Sequence, residues 1–309
     1  MHISSNKNAR KRDKILVCVP SYNAEESIVV TIQSVLNQSI KNYKILVVDN
    51  CSTDRTAGIV ENMRRVNDNS EKIEFVANPL NLGRIQNWNK CIELFLLSDF
   101  DYLKFLFTGD TLQKAGLEIL LNGFNKYDDK LGIVVAGYRA TEKDLVKKVQ
   151  TFSEEKYLTP RDGLMLFVKN GNWVGAPLSC MFSKNAVSGI RFNESFDFTS
   201  DYMFYINLAS NNDALCIDEN IGNFSLLQRK HLQKYKASLF AKIEEIHARY
   251  FALARLKKHL SDLEEKALTS YLNKDSAKII IFHTSFLDSV DIFLYKIKMS
   301  FSSVWRRVR

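Results

Sequence analysis

The sequence predicts an α/β protein with a mostly parallel sheet flanked by helices, followed by a helical C-terminal extension. Three observations predict this fold class. Short β-branched runs alternate with stretches whose apolar residues recur at helical spacing, which is the order of βαβ units. Residues 102–110, YLKFLFTGD, are apolar from Leu103 to Phe107 except at Lys104, as in a strand buried on both faces. From about residue 237 onward, the pattern is helical to the end.

The predicted elements follow a regular order through the first half of the chain. Strands are predicted at residues 15–19, 43–48, 73–77, 103–107 and 131–136. Helices with apolar residues at helical spacing are predicted at residues 24–38, 53–66, 85–97 and 112–127. The pattern then changes. Residues 137–172 are mixed and polar, residues 171–182 become strand-like, and residues 196–209 begin acidic and become an apolar helix.

The composition fits a globular protein with basic ends. Of its 309 residues, 46% are hydrophobic, and part of the net charge of +8 lies in residues 1–14 and 306–309. Basic ends suit an anionic membrane surface or nucleic acid, and a solvated tail without a partner explains the N-terminal run equally well. No nucleic-acid-binding motif accompanies the charge, so we expect no nucleic-acid partner.

Cysteine usage and hydropathy favour a cytoplasmic protein. The five cysteines are odd in number and lack paired spacing, which argues against a disulfide framework or a zinc site. The N-terminus has no apolar signal-peptide core. No uninterrupted apolar run reaches the roughly 18 residues that a spanning helix needs.

Polar residues follow several of the predicted strands. Gly109 permits a turn that would deliver Asp110 at the carboxyl end of the central strand, where open α/β sheets bind ligands. A carboxylate there suits Mg²⁺ or Mn²⁺ bridging phosphates, and the alternative is a cap for the next helix. Asp49 and Asp54 follow the second strand, and turn or helix capping is likewise their alternative role.

Four segments in this order resemble the family-two inverting glycosyltransferases with a GT-A fold, of the type that builds bacterial surface polysaccharides. The segments are 19–23 (VPSYN), 48–54 (VDNCSTD), 81–84 (NLGR) and 108–110 (TGD), with Ser200-Asp201 downstream. The resemblance covers about residues 15–231. It implies a GT-A domain at residues 15–235, with a nucleotide-binding half at 15–137 and an acceptor half at 138–235. A basic tail at 1–14 and a helical extension at 236–309 would flank this domain.

The resemblance implies a nucleotide-sugar donor, UDP- or dTDP-linked, and a Mn²⁺ or Mg²⁺ ion. Asp49 would accept the imide N–H of uracil or thymine, and Tyr22 with the Pro20–Ser21 backbone would line the base. Metal ligands would be Asp110 and His231. The implied donor-binding residues are Pro20, Ser21, Tyr22, Asn23, Asp49, Asn50, Gly83, Arg84, Asp110 and Arg229.

Asp201 is the predicted general base for an in-line displacement at the anomeric carbon, with Asp197 as the second candidate. The alternative is that Asp201 only stabilises the N-terminus of an apolar helix. Trp173 could stack on an acceptor sugar, and a buried aromatic is an equally good interpretation. Arg229 could bind a diphosphate oxygen, or it could belong to a solvated basic linker.

Three positions depart from the family pattern. Many relatives carry Asp-Asp where this chain has Asp49-Asn50, and Asp-x-Asp or Asp-Asp where it has Thr108-Gly109-Asp110. Ser200 stands where the family more often has Glu. A dinucleotide-binding oxidoreductase is the rival interpretation of the alternating strands and helices. Because no G-x-G-x-x-G follows the first strand, this rival is disfavoured.

The C-terminal tail, residues 277–309, predicts an interfacial helix with a basic end. Charged residues interrupt the apolar run, so it should lie on anionic lipid rather than span a bilayer. Such a helix would hold the protein at the cytoplasmic face of the membrane, near a lipid-linked acceptor. The alternative is packing on the catalytic domain or on a second subunit in a homodimer. The apolar face comprises Ile281, Phe282, Phe286, Leu287, Val290, Phe293, Leu294, Ile297 and Phe301.

Overall fold

The computed structural model describes residues 13–127, 131–142, 145–150, 152–226 and 239–284. The strands are β1 (Ile15–Ser21), β2 (Tyr43–Asp49), β3 (Ile73–Ala77), β4 (Tyr102–Phe105), β5 (Thr111–Leu112), β6 (Leu131–Glu142), β7 (Leu145–Gln150), β8 (Lys156–Leu158), β9 (Cys180–Ser183) and β10 (Asp213–Ser225). The α-helices are α1 (Ile28–Leu36), α2 (Thr56–Arg65), α3 (Arg84–Leu97), α4 (Gly116–Lys126), α5 (Pro160–Asn170), α6 (Lys184–Val187), α7 (Ser200–Ala209), α8 (Leu239–Leu256) and α9 (Asp262–Thr284). Short 3₁₀ turns lie at Val66–Glu71, Pro177–Ser179 and Lys257–His259.

The strands form one sheet in the order β3-β2-β1-β4-β9-β6-β10-β5, with β7 beside β6 and β8 beside β10. The block β3-β2-β1-β4 is parallel throughout, as the alternating pattern predicts. β9 then runs antiparallel to both β4 and β6, and β6 pairs in parallel with β10. The carboxyl ends of β1, β2 and β4 therefore meet at one edge of the sheet.

Strand β1 shows why its sequence is a continuous apolar run. All seven of its residues are buried. Ile15, Val17 and Val19 belong to one hydrophobic cluster, whereas Leu16 and Cys18 belong to another. Side chains alternate between the faces of a strand, so these are the two faces of the sheet, each covered by packed side chains.

Three helices begin later than the sequence predicts, because their first residues bond elsewhere. The N–H of Ala24 donates to Thr56 Oγ1 (2.8 Å) and that of Glu25 to Asp54 Oδ2 (3.0 Å), so α1 starts only at Ile28. α2 starts at Thr56 rather than at residue 53. α4 starts at Gly116, since residues 111–112 pair with β10 instead.

The second half of the sheet holds elements that its sequence does not indicate. β6 continues to Glu142, and α5 lies within the stretch described above as mixed and polar. A capping box between Thr159 and Asp162, with Pro160 at the first helical position, starts α5. The T-P-R-D pattern is a recognised helix-start signal and could have identified this helix. β10 offers no comparable signal, because its 13 residues alternate poorly.

The described part of the C-terminal extension packs on this second half. Ala248, Ala252 and Leu253 of α8 lie in the same hydrophobic cluster as Phe167 of α5. The buried Arg249 donates from Nε to the carbonyl oxygen of Val168 at 2.9 Å. Helix α8, which precedes the predicted interfacial helix, therefore packs on the domain. Most of the predicted interfacial helix lies outside the described residues. None of the helices described here is long and apolar enough to cross a membrane.

Lys104, the charged residue inside the central strand, is fully buried. Its Nζ donates to the carbonyl oxygens of Pro177 (3.1 Å), Leu178 (2.5 Å) and Cys180 (3.0 Å). Burial lowers the pKa of Lys104 to about 8, although the charges of Cys180 and Asp110 act in the opposite direction. One ammonium group thus holds the turn at residues 177–180 against β4.

Candidate active site

A cleft of about 1120 Å³ opens at the edge where β1, β2 and β4 end. Its walls come from the loops after β1 and β2, the start of α3, the end of β4, the loop at residues 170–177, the start of α7, and α8. The two halves of the chain therefore build the cleft together. The predicted site residues that line it are Pro20, Ser21, Tyr22, Asn23, Asn50, Arg84, Asp197 and Asp201.

Asp49 lies behind the lining and is only 2% exposed. Its Oδ1 accepts hydrogen bonds from the hydroxyls of Ser21 (2.9 Å) and Ser52 (2.6 Å), and its Oδ2 accepts from the N–H of Ser52 (2.8 Å). These are the hydrogen bonds expected if Asp49 caps the turn after β2. They also fix the Ser21 side chain at the cleft, so Asp49 ties together the loops that follow β1 and β2.

The same two loops contain both described non-glycine residues with positive φ. Asn23 has φ 45° and Cys51 has φ 62°. Asn23 donates its N–H to Ser52 Oγ (2.9 Å), and its Oδ1 accepts from the N–H of Thr53 (2.9 Å). Asparagine tolerates this left-handed region, whereas cysteine adopts it at a cost. Surrounding bonds must hold such a conformation, and strained residues of this kind cluster at ligand sites. Tyr22, the neighbour of Asn23, is 50% exposed and lines the cleft.

Asp54 acts as a helix cap in this structure. Its Oδ1 accepts from the N–H (2.9 Å) and hydroxyl (2.5 Å) of Thr56 at the start of α2. Its Oδ2 accepts from the N–H of Glu25 at 3.0 Å. The capping alternative therefore explains this residue.

Asn50 belongs to a network of asparagines that the sequence did not single out. Its Nδ2 donates to Asn81 Oδ1 (2.9 Å), and its Oδ1 accepts from Asn78 Nδ2 (3.2 Å) and from the N–H of Leu82 (2.9 Å). Asn78 also donates to Asn87 Oδ1 at 2.8 Å. An aspartate at position 50 could not donate to Asn81, which gives a physical reason for the departure from Asp-Asp.

This network places the start of α3. Asn81 Oδ1 also accepts from the N–H of Gly83 (2.8 Å), whose φ of 82° requires a glycine. Gly83 does not line the cleft, and it serves as the N-cap of α3. The next residue, Arg84, does line the cleft. Its guanidinium lies 5.1 Å from the ring centre of Trp88, and its Nη2 donates to the carbonyl oxygen of Asp197.

Asp201 lies in the first turn of α7 and lines the same cleft as the loops after β1 and β2. Its Oδ1 accepts from the N–H of Tyr202 at 2.7 Å, as a carboxylate at a helix start does. The loop before it is held by Glu244 of α8, which accepts from the N–H groups of Phe198 (2.8 Å) and Thr199 (2.9 Å). No sequence pattern identifies Glu244, because its partners lie 45 and 46 residues away in the chain.

Trp173 is partly buried and packs against the protein interior. Its Nε1 donates to the carbonyl oxygen of Gly163 (3.1 Å), and its ring lies 5.2 Å from that of Phe167. The indole does not line the cleft, although its neighbour Asn172 does. We therefore leave Trp173 out of the proposed acceptor site.

The comparison with known families decides the identity of the fold. The model of the family described as "Glycosyl transferase family 2" matches residues 16–190, more than half of the chain. The chain belongs to glycosyl transferase family 2. The family resemblance predicted from the four sequence segments is confirmed.

Two bacterial family relatives illustrate the range of similarity. One is a Campylobacter jejuni protein named GalNAc(5)-diNAcBac-PP-undecaprenol beta-1,3-glucosyltransferase, 28% identical over 63% of this chain and 59% of its own length. Another is TuaG of Bacillus subtilis, a glycosyltransferase provisionally assigned to teichuronic acid biosynthesis, 35% identical over 34% of this chain and 39% of its own length. The chain thus matches less than two thirds of the length of either relative.

A solved structure of the same fold is that of S. aureus TarS residues 1–349 in complex with UDP-GlcNAc. It superposes with a TM-score of 0.64 and 17% sequence identity, over 88% of this chain and 73% of that chain. The predicted GT-A fold, an α/β sheet flanked by helices with helices at the C-terminus, is confirmed.

GT-A glycosyltransferases typically use a divalent metal ion, so the fit of this chain to such an ion can be tested. Asp110, the predicted ligand, is only 1% exposed and does not line the cleft. Its Oδ1 accepts from the N–H of Ser225 on β10 at 3.0 Å. No group of three His, Cys, Asp or Glu side chains that could hold a metal occurs among the described residues. The predicted His231 and Arg229 lie outside those residues. Asp110, the one predicted ligand among the described residues, is turned away from the cleft and therefore does not fit a metal that bridges a diphosphate there.

Proposed function

We propose that this family-two glycosyltransferase transfers a sugar from a nucleotide-diphosphate sugar, UDP- or dTDP-linked, to an acceptor hydroxyl with inversion. The cleft supports the proposal, because the loops after β1 and β2 and the candidate base Asp201 all line it. In the proposed arrangement, Tyr22 and the Pro20–Ser21 backbone line the base. Asp49, behind them, accepts the imide N–H of the base once the Ser21 hydroxyl turns away from its Oδ1. Asn23, the Asn50 network and Arg84 then hold the ribose and diphosphate.

The proposed reaction is a single displacement. The acceptor oxygen forms a bond to the anomeric carbon while the bond from that carbon to the diphosphate oxygen breaks. The leaving diphosphate keeps the electron pair of that bond, and the acceptor proton passes to the carboxylate of Asp201. Attack from the face opposite the leaving group inverts the configuration. Glu244 supports the step indirectly, since it orders the backbone before α7.

We propose further that the acceptor is a lipid-linked glycan in the assembly of a bacterial surface polysaccharide. The name of the Campylobacter jejuni relative includes an undecaprenol-diphosphate-linked glycan, and that of TuaG includes teichuronic acid biosynthesis. Together the two names support this acceptor class. We divide the domain into a nucleotide-binding half, residues 15–137, and an acceptor half from residue 138. Because Lys242 and Glu245 of α8 line the cleft, we propose that the acceptor half continues through α8.

A donor panel tests the proposed function. The purified chain would be incubated with UDP-, dTDP- and GDP-linked sugars and an undecaprenyl-diphosphate-linked sugar acceptor, and products would be followed by mass spectrometry. We expect transfer from one UDP- or dTDP-linked sugar, with NMR of the product showing the inverted anomeric configuration. Retained configuration would contradict the displacement. Binding of NAD, with no binding of any sugar nucleotide, would favour the oxidoreductase alternative.

We also propose peripheral attachment to the cytoplasmic face of the membrane through residues 277–309. The intact chain should float with vesicles containing anionic lipid, and flotation should fall with added salt because part of the attraction is screened charge. The truncated variant should end at Thr284, which keeps Asp275, the ion-pair partner of Arg249, and this variant should no longer float. Failure of the intact chain to float at low salt would favour packing of the tail on the domain or on a second subunit.

A further inference from the structure

The turn after β4, residues 107–110, bonds to neighbouring parts of the fold and directs no carboxylate toward a cation in the cleft. The N–H of Gly109 donates to Thr31 Oγ1 (2.8 Å), and the Thr31 hydroxyl donates to the carbonyl oxygen of Asp110 (3.0 Å). The Asp110 carboxylate reaches Ser225 on β10. The turn is thereby joined to α1 and β10, and its one carboxylate is directed into the protein.

The residues of this turn that face the cleft are Phe107 and Thr108. The Phe107 ring stacks on Trp88 with 4.7 Å between ring centres. At a diphosphate site, Mg²⁺ or Mn²⁺ is held by one or two protein carboxylates, and the phosphates and water supply the other ligands. Phe107 and Thr108 bring no carboxylate to the cleft, and the carboxylate of Asp110 lies behind its lining.

Positive charge at this point of the cleft comes instead from Arg84. Its guanidinium lies 5.1 Å from the ring centre of Trp88, the ring on which Phe107 stacks. Arg84 is the first residue of α3, so the positive end of the helix dipole adds to its charge. The Asn50 network holds the preceding turn, which limits the conformational freedom that Arg84 would lose on binding. A guanidinium suits phosphate oxygens because it can donate two parallel hydrogen bonds.

We propose that this chain binds the diphosphate of its donor without a divalent cation, and that Arg84 neutralises the charge that a metal ion would otherwise neutralise. The proposal rests on the proposed function, since it assumes that a nucleoside diphosphate occupies the cleft. Arg84 then also stabilises the diphosphate as it leaves with the electron pair of the broken bond.

The proposal is tested by calorimetric titration of the protein with UDP, dTDP and uridine, each in a buffer that contains EDTA and in one that contains MnCl₂. We expect the affinity for the better-bound diphosphate to differ by less than about twofold between the two buffers. Arg84→Gln should weaken it by about 10-fold to 100-fold, as the loss of a hydrogen bond to a charged group does. Arg84→Lys should restore part of the loss. The affinity for uridine should stay unchanged in Arg84→Gln, because uridine lacks the diphosphate.

The matched control is Lys90→Gln, which removes a cation from the same helix outside the cleft lining, where Lys90 pairs with Glu93 (2.9 Å). It should leave every affinity unchanged. A 10-fold or greater gain in affinity with Mn²⁺, lost in Asp110→Asn, would overturn the proposal and restore Asp110 as a metal ligand. Equal weakening of UDP and uridine by Arg84→Gln would assign Arg84 a structural role and also overturn it. Absence of nucleotide binding in both buffers would overturn the proposed function as well.

Discussion

Asp201→Asn should lower the turnover of sugar transfer by about 10²-fold to 10⁴-fold, the usual contribution of a positioned general base. Asparagine keeps the size of the side chain and the oxygen that accepts from the N–H of Tyr202, so α7 should stay folded. Donor affinity should stay within about twofold of the wild type, since the base acts on the acceptor proton. Single-turnover kinetics together with nucleotide titration would separate the two effects.

Asp162→Asn is the matched control for this prediction. Asp162 also lies in the first turn of a helix, α5, but it does not line the cleft. Its replacement weakens a capping box and should leave turnover unchanged. Near-normal turnover of Asp201→Asn would return Asp201 to the role of a helix N-terminal charge. In that case, the turnover of Asp197→Asn, which changes the second candidate base, should be measured next.

Lys104→Met should lower the free energy of unfolding by about 3–5 kcal/mol, because it leaves buried carbonyl groups without their charged donor. Three carbonyl oxygens at residues 177–180 accept from Lys104 Nζ. Methionine fills a similar volume and donates no hydrogen bond. Urea unfolding followed by circular dichroism would measure the change. The control is Lys44→Met on β2, where a partly exposed ion pair with Glu74 (3.2 Å) should contribute less than about 1 kcal/mol.

The contribution of Lys104 to the free energy of unfolding should rise with pH. The pKa of Lys104 in the folded protein is about 8, below that of lysine in an unfolded chain. Between these two values the unfolded state binds more protons, so stability from Lys104 rises with pH. From pH 7.5 to pH 9.5, the free energy of unfolding of the wild type should rise by about 2 kcal/mol relative to that of Lys104→Met. A constant difference across this range would show that Lys104 keeps an ordinary pKa.

The first half of the fold and most of the donor wall could be predicted from the sequence. β1 to β4 and their parallel pairing follow from apolar runs that alternate with helical spacing, which is a property of neighbouring residues. The loop residues Tyr22, Asn23 and Asn50 were predicted at the strand ends, and the structure brings them to one cleft. In the second half, β10 spans 13 residues with exposed and buried positions in no regular order, so its pattern identifies no strand.

The direction of each polar side chain could not be read from the sequence. Asp110 follows the central strand as predicted, yet its carboxylate bonds to Ser225, which lies 115 residues away in the chain. Lys104 is conspicuous in an apolar run, but its carbonyl partners are 73 to 76 residues distant. Glu244 had no signal, because it acts only on backbone N–H groups of a distant loop.

The sequence by itself determined the family, the order of the βαβ units and the loops that carry the candidate donor site. These depend on local spacing and on turn residues, which neighbouring positions specify. Only the tertiary structure decided that Asp110 supports the fold, that Asn50 builds a network with Asn78 and Asn81, and that Arg84 is the residue that brings positive charge to Trp88 and Phe107. The physical reason is that a polar group bonds to the partner that packing brings within reach, and packing here joins residues far apart in the chain.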